Sequence, residues 1–224
     1  FLSGEITDLQ GRLNVMNLVT SDPVGALVRF GRLFDLLGLP SQQLGALQRA
    51  LARAQAAANG TLDDGGDAPL LPHRFEQLAW LGLDGQSLAR LRPHVTVLPL
   101  VRGRATPVNL NTASAAVIYA ALPGLDLAQA ERLVAARVQQ DFESPQAAMT
   151  VLGASEVELD WASVASSFFE IRGRLRLGDA ALEEVAAVQR SSGVRGRRGV
   201  TVLWRTRTAL TASPVAPDAA LALR

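Results

Sequence analysis

The 224-residue chain contains neither cysteine nor lysine and has only two histidines and one tyrosine. Without cysteine there is no thiol nucleophile, no thiolate zinc site and no disulfide, and the sequence is indifferent to the redox state of its compartment. All 22 basic residues are arginine, which excludes Schiff-base chemistry, pyridoxal-type cofactor attachment and a phosphate-loop lysine. His73 and His94 are 21 positions apart, a spacing of no helical or loop ligand pair, so a histidine metal site is not expected. No run of about 18 apolar residues suggests a membrane span, and no signal-peptide pattern opens the chain. Because it starts at Phe1-Leu2-Ser3-Gly4 without an initiator methionine, an upstream segment is expected. The formal net charge is only +1, which leaves little drive toward polyanions. Hydrophobic residues make up 48%, enough for a sizeable core in one or two domains.

Strand patterns lie at both ends and helical ones between. Gly4–Val15 reads as a strand, a glycine-bearing turn and a second strand. From Asp22, a candidate N-cap before Pro23, Leu27, Phe30, Phe34 and Leu37 repeat at helical spacing until Gly38 and Pro40. Ser41 can cap a second helix with Leu44, Leu47, Leu51, Ala54 and Ala58 on one face. Gly60–Pro72 has loop composition, and short helices fit Phe75–Leu81 and Gly85–Leu91. After a proline- and arginine-bearing joint at 99–107, Asn111 or Thr112 can cap a helix through Ala121. Pro123-Gly124 breaks it, and Asp126 caps the next, with Leu127, Ala130, Leu133, Val134 and Val138 on one face. Phe142-Glu143-Ser144-Pro145 starts a short helix closed by Gly153 and echoes Phe75–Gly82, a degenerate repeat. Ile171, Gly173, Leu175 and Leu177 alternate with Arg172, Arg174 and Arg176, the pattern of a half-buried strand with a solvated arginine face. Gly178-Asp179 signals a hairpin; the ambiguous run Leu182–Arg190 is read as its returning strand, and Val200–Arg205 as a last one. Beyond Ala209 an Ala/Pro/Ser-rich tail is expected to fray. The chain is thus an α+β protein with a helical domain inserted into a β scaffold.

The run Pro107-Val108-Asn109-Leu110-Asn111-Thr112-Ala113-Ser114, with the Leu-Pro-Gly break that follows, resembles the K-type minor pseudopilins of the type II (general) secretion pathway. The same run alone also resembles the helix-hairpin-helix domain of competence-type DNA receptors. Gly11-Arg12-Leu13-Asn14-Val15-Met16-Asn17 and Leu91-Arg92-Pro93-His94-Val95-Thr96-Val97-Leu98-Pro99 are similar to two further pseudopilin runs in the same order. The resemblance implies a pseudopilin-like antiparallel sheet, residues 1–20 and 166–210, interrupted by an all-helical insertion at 21–165. Parts 21–101 and 102–165 are expected within it, the second containing a helix-hairpin-helix/SAM-like subdomain, with a flexible tail at 211–224. It also implies a periplasmic domain of a Gram-negative bacterium, anchored in the inner membrane through an N-terminal helix not present in this sequence. The implied role is to cap the pseudopilus tip, initiate assembly with the I-type and J-type minor pseudopilins, and meet secreted substrate or the outer-membrane channel. No catalytic, cofactor or metal residues are implied. Asn14, Asn17, Asn109, Asn111, Thr112, Pro123 and Gly124 are read as structural motif positions, the asparagines and threonine bonding locally at strand and helix ends.

The DNA-receptor alternative fits the residues less well. A phosphate-binding hairpin needs small turn residues and open N–H groups, whereas this turn reads Pro123-Gly124-Leu125-Asp126. The cluster of Arg195, Arg197 and Arg198 lies between two expected strands and reads as a solvated turn. No Gly-x-Ser-x-Gly elbow or phosphate fingerprint supports an enzyme; Trp80, Trp161 and Trp204 read as core or interface anchors. The calcium-associated acidic runs of the family are replaced here by Ala52–Asn59 and an Asp/Gly loop, so no calcium ligands are carried over. Counted from Asp63, the third loop position is Gly65 and the twelfth Arg74, where a calcium loop needs oxygen ligands. Excess chelator should therefore shift the thermal midpoint by less than about 5 °C, because saturating a tight native-state site would add about 3 kcal/mol and a larger shift.

Overall fold

The computed structural model describes residues 2–61, 67–153, 157–177, 180–192 and 198–211. In chain order its elements are β1 (Leu2–Asp8), β2 (Leu13–Asn14), α1 (Pro23–Leu36), α2 (Ser41–Ala58), α3 (Gly85–Leu91), β3 (Val95–Thr96), β4 (Val108–Asn109), α4 (Ala115–Ala121), α5 (Leu127–Gln139), α6 (Pro145–Leu152), β5 (Ala162–Ser163), β6 (Phe168–Leu177), β7 (Ala180–Ser192) and β8 (Arg198–Thr211). Short 3-10 helices cover Leu9–Gly11, Val15–Val19 and Phe75–Leu81. The backbone divides into a sheet unit, Phe1–Thr7 with Phe168–Arg224, and a helical unit, Asp8–Ser167. Residues 8–20, expected with the sheet, thus fall in the helical unit: β2 leaves β1 and pairs in parallel with β3, Leu13 opposite Val95 and Asn14 opposite Thr96. The expected parts 21–101 and 102–165 share one unit and one core cluster.

The sheet runs β1-β6-β7-β8. The run that could have been helix or strand is strand, because its two adjacent glutamates find partners on opposite faces. Glu183 stands opposite Arg174 and Glu184 opposite Arg207; Glu183 accepts from Arg174 and Glu184 accepts from Arg207 at 2.7 Å. These hydrogen bonds hold both carboxyls below their ordinary range, and such cross-strand pairs override the helix preference of Leu, Glu and Ala. Alternation in β6 is as expected, but its apolar side is not covered. Ile171 and Leu175 remain 40% and 51% exposed. They share a face with Phe169, Leu182, Ala186, Val188 and, across the next strand, Val200 and Val202. The Gly178-Asp179 turn, the run 193–197 and residues 212–224 lie outside the described residues.

In the helical unit, Asp22 caps α1 by accepting from the Gly25 N–H at 2.9 Å, with Pro23 in the first turn. Gly38, at φ 62°, ends the helix in a left-handed turn closed by Leu39 N–H to Phe34 O, 2.8 Å, a conformation favoured by glycine. Ser41 is the first residue of α2 and does not cap it; Pro40 precedes it with no side-chain cap. Leu44, Leu47, Leu51 and Ala54 face the core as expected, while Ala58 is exposed. In α5 only Ala130 and Leu133 are buried, and Val138, expected on that face, is 77% exposed. The repeat is partial: Phe75–Leu81 winds as a 3-10 helix and Pro145–Leu152 as an α-helix.

Helix α1 packs between α2 and α4, and among its core residues Ala26, Phe30, Leu33 and Phe34 lies a charge, Arg29, 3% exposed. Its Nε donates to Ala121 O at 3.1 Å, at the end of α4, and Nη1 to Gly25 O at 3.1 Å. Nη2 reaches Asp160 at 2.8 Å and Glu158 at 3.3 Å, and the guanidinium carbon sits 5.0 Å from the Trp161 ring centre. A buried charge is tolerable only when its hydrogen bonds are this complete. An ammonium cannot reach carbonyls and carboxylates in several directions at once. Arg29→Lys, although it keeps the charge, is expected to lower the unfolding free energy by about 2–3 kcal/mol in denaturant titrations.

Candidate functional site

The joint between the two halves of the helical unit, residues 97–107, carries peptide groups that no long strand or helix satisfies. Buried N–H and C=O groups require partners, and here asparagine side chains supply them. Asn14 Oδ1 accepts from the Leu98 N–H at 2.9 Å while its Nδ2 donates to Leu98 O at 3.0 Å. Asn17 treats Thr106 in the same manner, accepting from its N–H at 2.9 Å and donating to its C=O at 3.0 Å. Asn111 does so with Phe142, at 2.8 and 3.0 Å. Each amide imitates the paired N–H and C=O of a neighbouring β-strand. Asn14 also donates to Thr106 Oγ1 at 3.0 Å and caps the following 3-10 turn through Met16 N–H, 3.2 Å. Asn14 and Asn17 are 1% and 0% exposed. The expected local role therefore holds only for that Met16 contact; most of their bonds cross 84 to 92 positions of sequence.

A second cluster gathers around Asp8, where the chain enters the helical unit. Its Oδ2 accepts from Asn109 Nδ2 at 2.8 Å, Thr112 Oγ1 at 2.7 Å and Ser166 Oγ at 2.6 Å. Its Oδ1 takes the Gln10 N–H at 2.8 Å. Gln10 in turn donates to Pro107 O at 3.0 Å and accepts from Ser167 N–H at 2.6 Å. The points where the chain enters and leaves the unit are thereby tied to each other and to the Pro107–Ser114 motif. Gly11 lies against Thr112 so closely that a Cβ would stand 3.2 Å from its carbonyl oxygen. Asn111 and Thr112 do not cap α4, because both side chains are engaged elsewhere; Ser114 caps it, accepting from Val117 N–H at 3.4 Å. Asn109 turns back on its own loop, accepting from Asn111 N–H at 3.0 Å. Asp8, Gln10, Thr106, Ser166 and Arg29 were missed by the sequence reading. Only Arg29 left a signal, a charge within the apolar stripe of α1.

Pro123 and Gly124 form the turn between α4 and α5, with Gly124 at φ 101°. Leu125 is 2% exposed, and Asp126 and Gln129 close a reciprocal capping box at 2.7 and 2.9 Å. Arg32 donates to the carbonyls of Tyr119, at 3.0 Å, and Leu125, with its guanidinium 3.9 Å from the Tyr119 ring centre. The turn is thus fastened to α1 and presents a carboxylate where a phosphate cradle would need open N–H groups. His94 is pushed below its ordinary pKa by burial and by Arg12, so its ring is neutral at neutral pH, and its Nδ1 has no partner among the described residues. Asp63 and Asp64 lie outside the described residues; Asp67 is exposed, and its backbone oxygen accepts from Arg53 at 3.3 Å. Among the described residues no group of three or more His, Cys, Asp or Glu is placed to hold a metal ion.

The architecture is that of an antiparallel sheet interrupted by a helical insertion, and Asn14, Asn17, Asn109, Asn111 and Thr112 of the polar seam lie within the regions that carry family signatures. Two sequence profiles described as Type II secretion system (T2SS), protein K match residues 11–100 and 108–169. The chain belongs to the type II secretion protein K family, the K-type minor pseudopilins. A chain in the crystal structure of the GspK-GspI-GspJ complex from the enterotoxigenic Escherichia coli Type 2 Secretion System has a similar fold, with a TM-score of 0.63 and 16% identity over 92% of this chain and 79% of that chain. A direct comparison with curated proteins finds no match.

Asn17→Asp tests the amide pairing. The substitution keeps the acceptor, removes the donor, and sets a buried carboxylate against Thr106 O. A loss of about 3 kcal/mol at pH 7 is expected. Part of it should return as pH falls below about 5, where a protonated carboxyl can donate again. Denaturant titrations of both proteins at pH 7 and pH 4.5 provide the check.

Proposed function

We propose that this chain is an assembly subunit at the tip of the type II secretion pseudopilus, which starts growth together with the I-type and J-type minor pseudopilins and aids export of folded proteins across the outer membrane. The observation that carries the reading is the position of the insertion. Asp8–Ser167 enters and leaves between β1 and β6, which are neighbours in one sheet. In a helical shaft each subunit is covered by copies of itself through contacts that repeat without limit. Every subunit of a repeating shaft would have to accommodate a helical unit of this size, whereas at a terminal position it occurs once. The exposed apolar side chains Ile171, Leu175, Val200 and Val202 also suit a sheet that partners cover on assembly. The similar Escherichia coli chain was crystallised as a complex with GspI and GspJ, which supports the same partners here.

The remaining parts of the reading follow from that role. The domain works in the periplasm and is held at the inner membrane by an apolar helix upstream; no helix among the described residues is long and apolar enough to cross a membrane. It acts by binding and without catalysis or a resident cofactor, and α4–α6 form its helix-hairpin-helix/SAM-like part. Mixing the chain with the soluble domains of the I-type and J-type pseudopilins is expected to yield a 1:1:1 species by size-exclusion chromatography with light scattering. A chain that stays monomeric with both present, or polymerises with itself, would overturn the tip assignment. Salt-sensitive retardation of duplex DNA would favour the DNA-receptor reading instead.

A further inference from the structure

Between the end of α5 and the face of α6 lies a groove of about 580 Å³, within the range that accepts a few side chains or a small ligand. Its floor is Phe142, 7% exposed, held in place by the paired bonds from Asn111. Ala136 and Ala147 line the walls, and Val151, 52% exposed, lies at the edge. Asp141 and Glu143 flank Phe142 in sequence and line the same groove. Neither forms an ion pair or a side-chain hydrogen bond among the described residues. No basic residue lines the groove. Arg137, one turn away on α5, donates its Nη1 to the carbonyls of Leu110 and Ala113 at 2.7 and 2.6 Å and also interacts electrostatically with Asp141, without forming an ion pair with it. The carbonyl end of the 13-residue α5 adds negative potential at the same place.

We propose that this groove is a docking site for a segment of a partner protein that carries a basic side chain beside apolar ones. Apolar side chains would cover Phe142 and Val151, and the basic group would meet Asp141, Glu143 and the helix terminus. Such an edge rejects nucleic acid, whose phosphates it repels. The site belongs to the helical unit alone and does not depend on the tip assignment. It also explains why Asn111 is spent on Phe142 rather than on capping α4: the amide keeps the floor of the groove rigid.

The probe is a fluorescein-labelled dodecapeptide of leucine, alanine and arginine, titrated into the full chain and followed by anisotropy at low and high salt. It is compared with one peptide carrying glutamate for arginine and another carrying serine for leucine. Saturable, salt-weakened binding of the first peptide alone is expected. Asp141→Asn combined with Glu143→Gln should weaken it about five- to tenfold, and Val151→Ser by several-fold, with thermal midpoints unchanged because all three side chains are exposed. The proposal is overturned if the leucine/arginine peptide does not bind, if the serine peptide binds equally well, or if the variants leave the affinity unchanged. It is equally overturned if light scattering shows self-association that Val151→Ser abolishes, since the occupant would then be a second copy.

Discussion

The helical unit depends on side-chain amides that do the work of a missing β-strand. Residues 8–17 run beside the joint at 97–107, where regular structure among the described residues contributes the two-residue parallel pair of β2 with β3. The intervening segment would leave buried peptide groups without partners, each costing about 1–3 kcal/mol. Asn14 and Asn17 supply both a donor and an acceptor to one residue each, Leu98 and Thr106. An amide carries a separate donor and acceptor side by side on one short stem, matching the C=O and N–H of a single residue. Asp8 and Gln10 extend the same seam to Ser166 and Ser167, so the bonds that close the joint also tie the last residue of β1 to the residues just before β6.

Arginine is the only strong cation in the chain, and much of it serves structure rather than surface charge. Arg29, Arg32, Arg90 and Arg137 each donate to backbone carbonyls near helix ends or turns, at Ala121, Tyr119, Leu37 and Leu110. Helix ends leave carbonyls without partners, and a planar fork reaches several of them while lying flat on an aromatic ring. This use of arginine fastens the turn at Pro123-Gly124 to α1. It also leaves that turn with a buried Leu125 and a capping Asp126 in place of the open N–H groups that a phosphate site needs.

The sheet follows a different logic. Its ion pairs, Glu183 with Arg174 and Glu184 with Arg207, are exposed and individually weak; they select strand pairing more than they stabilise it. The apolar residues that should pay for the sheet are in part uncovered, Ile171, Leu175, Val200 and Val202 among them. A sheet with open apolar side chains is suited to completion by partners, which is the role of an assembly subunit.

Much of this was legible in the sequence. Asp22-Pro23, Gly38 and Asp126 marked helix boundaries through capping chemistry that acts within four residues. The alternation in 171–177 marked a strand because it reflects a period of two. The family runs around Gly11, Leu91 and Pro107 pointed to the inserted architecture. What the sequence could not contain was the partner of each polar side chain. Asn17 and Thr106 are 89 positions apart, and nothing in either neighbourhood specifies the other. Local reasoning places the bonds of Asn14 and Asn17 nearby and those of Asn111 and Thr112 at the start of α4; Asn14 does cap its own 3-10 turn, but the folded chain also brings distant groups to these side chains and leaves α4 to Ser114. Alternation also could not tell which face of the sheet would be covered. Periodicity records which residues can be buried together, and only the tertiary structure decides what lies against them.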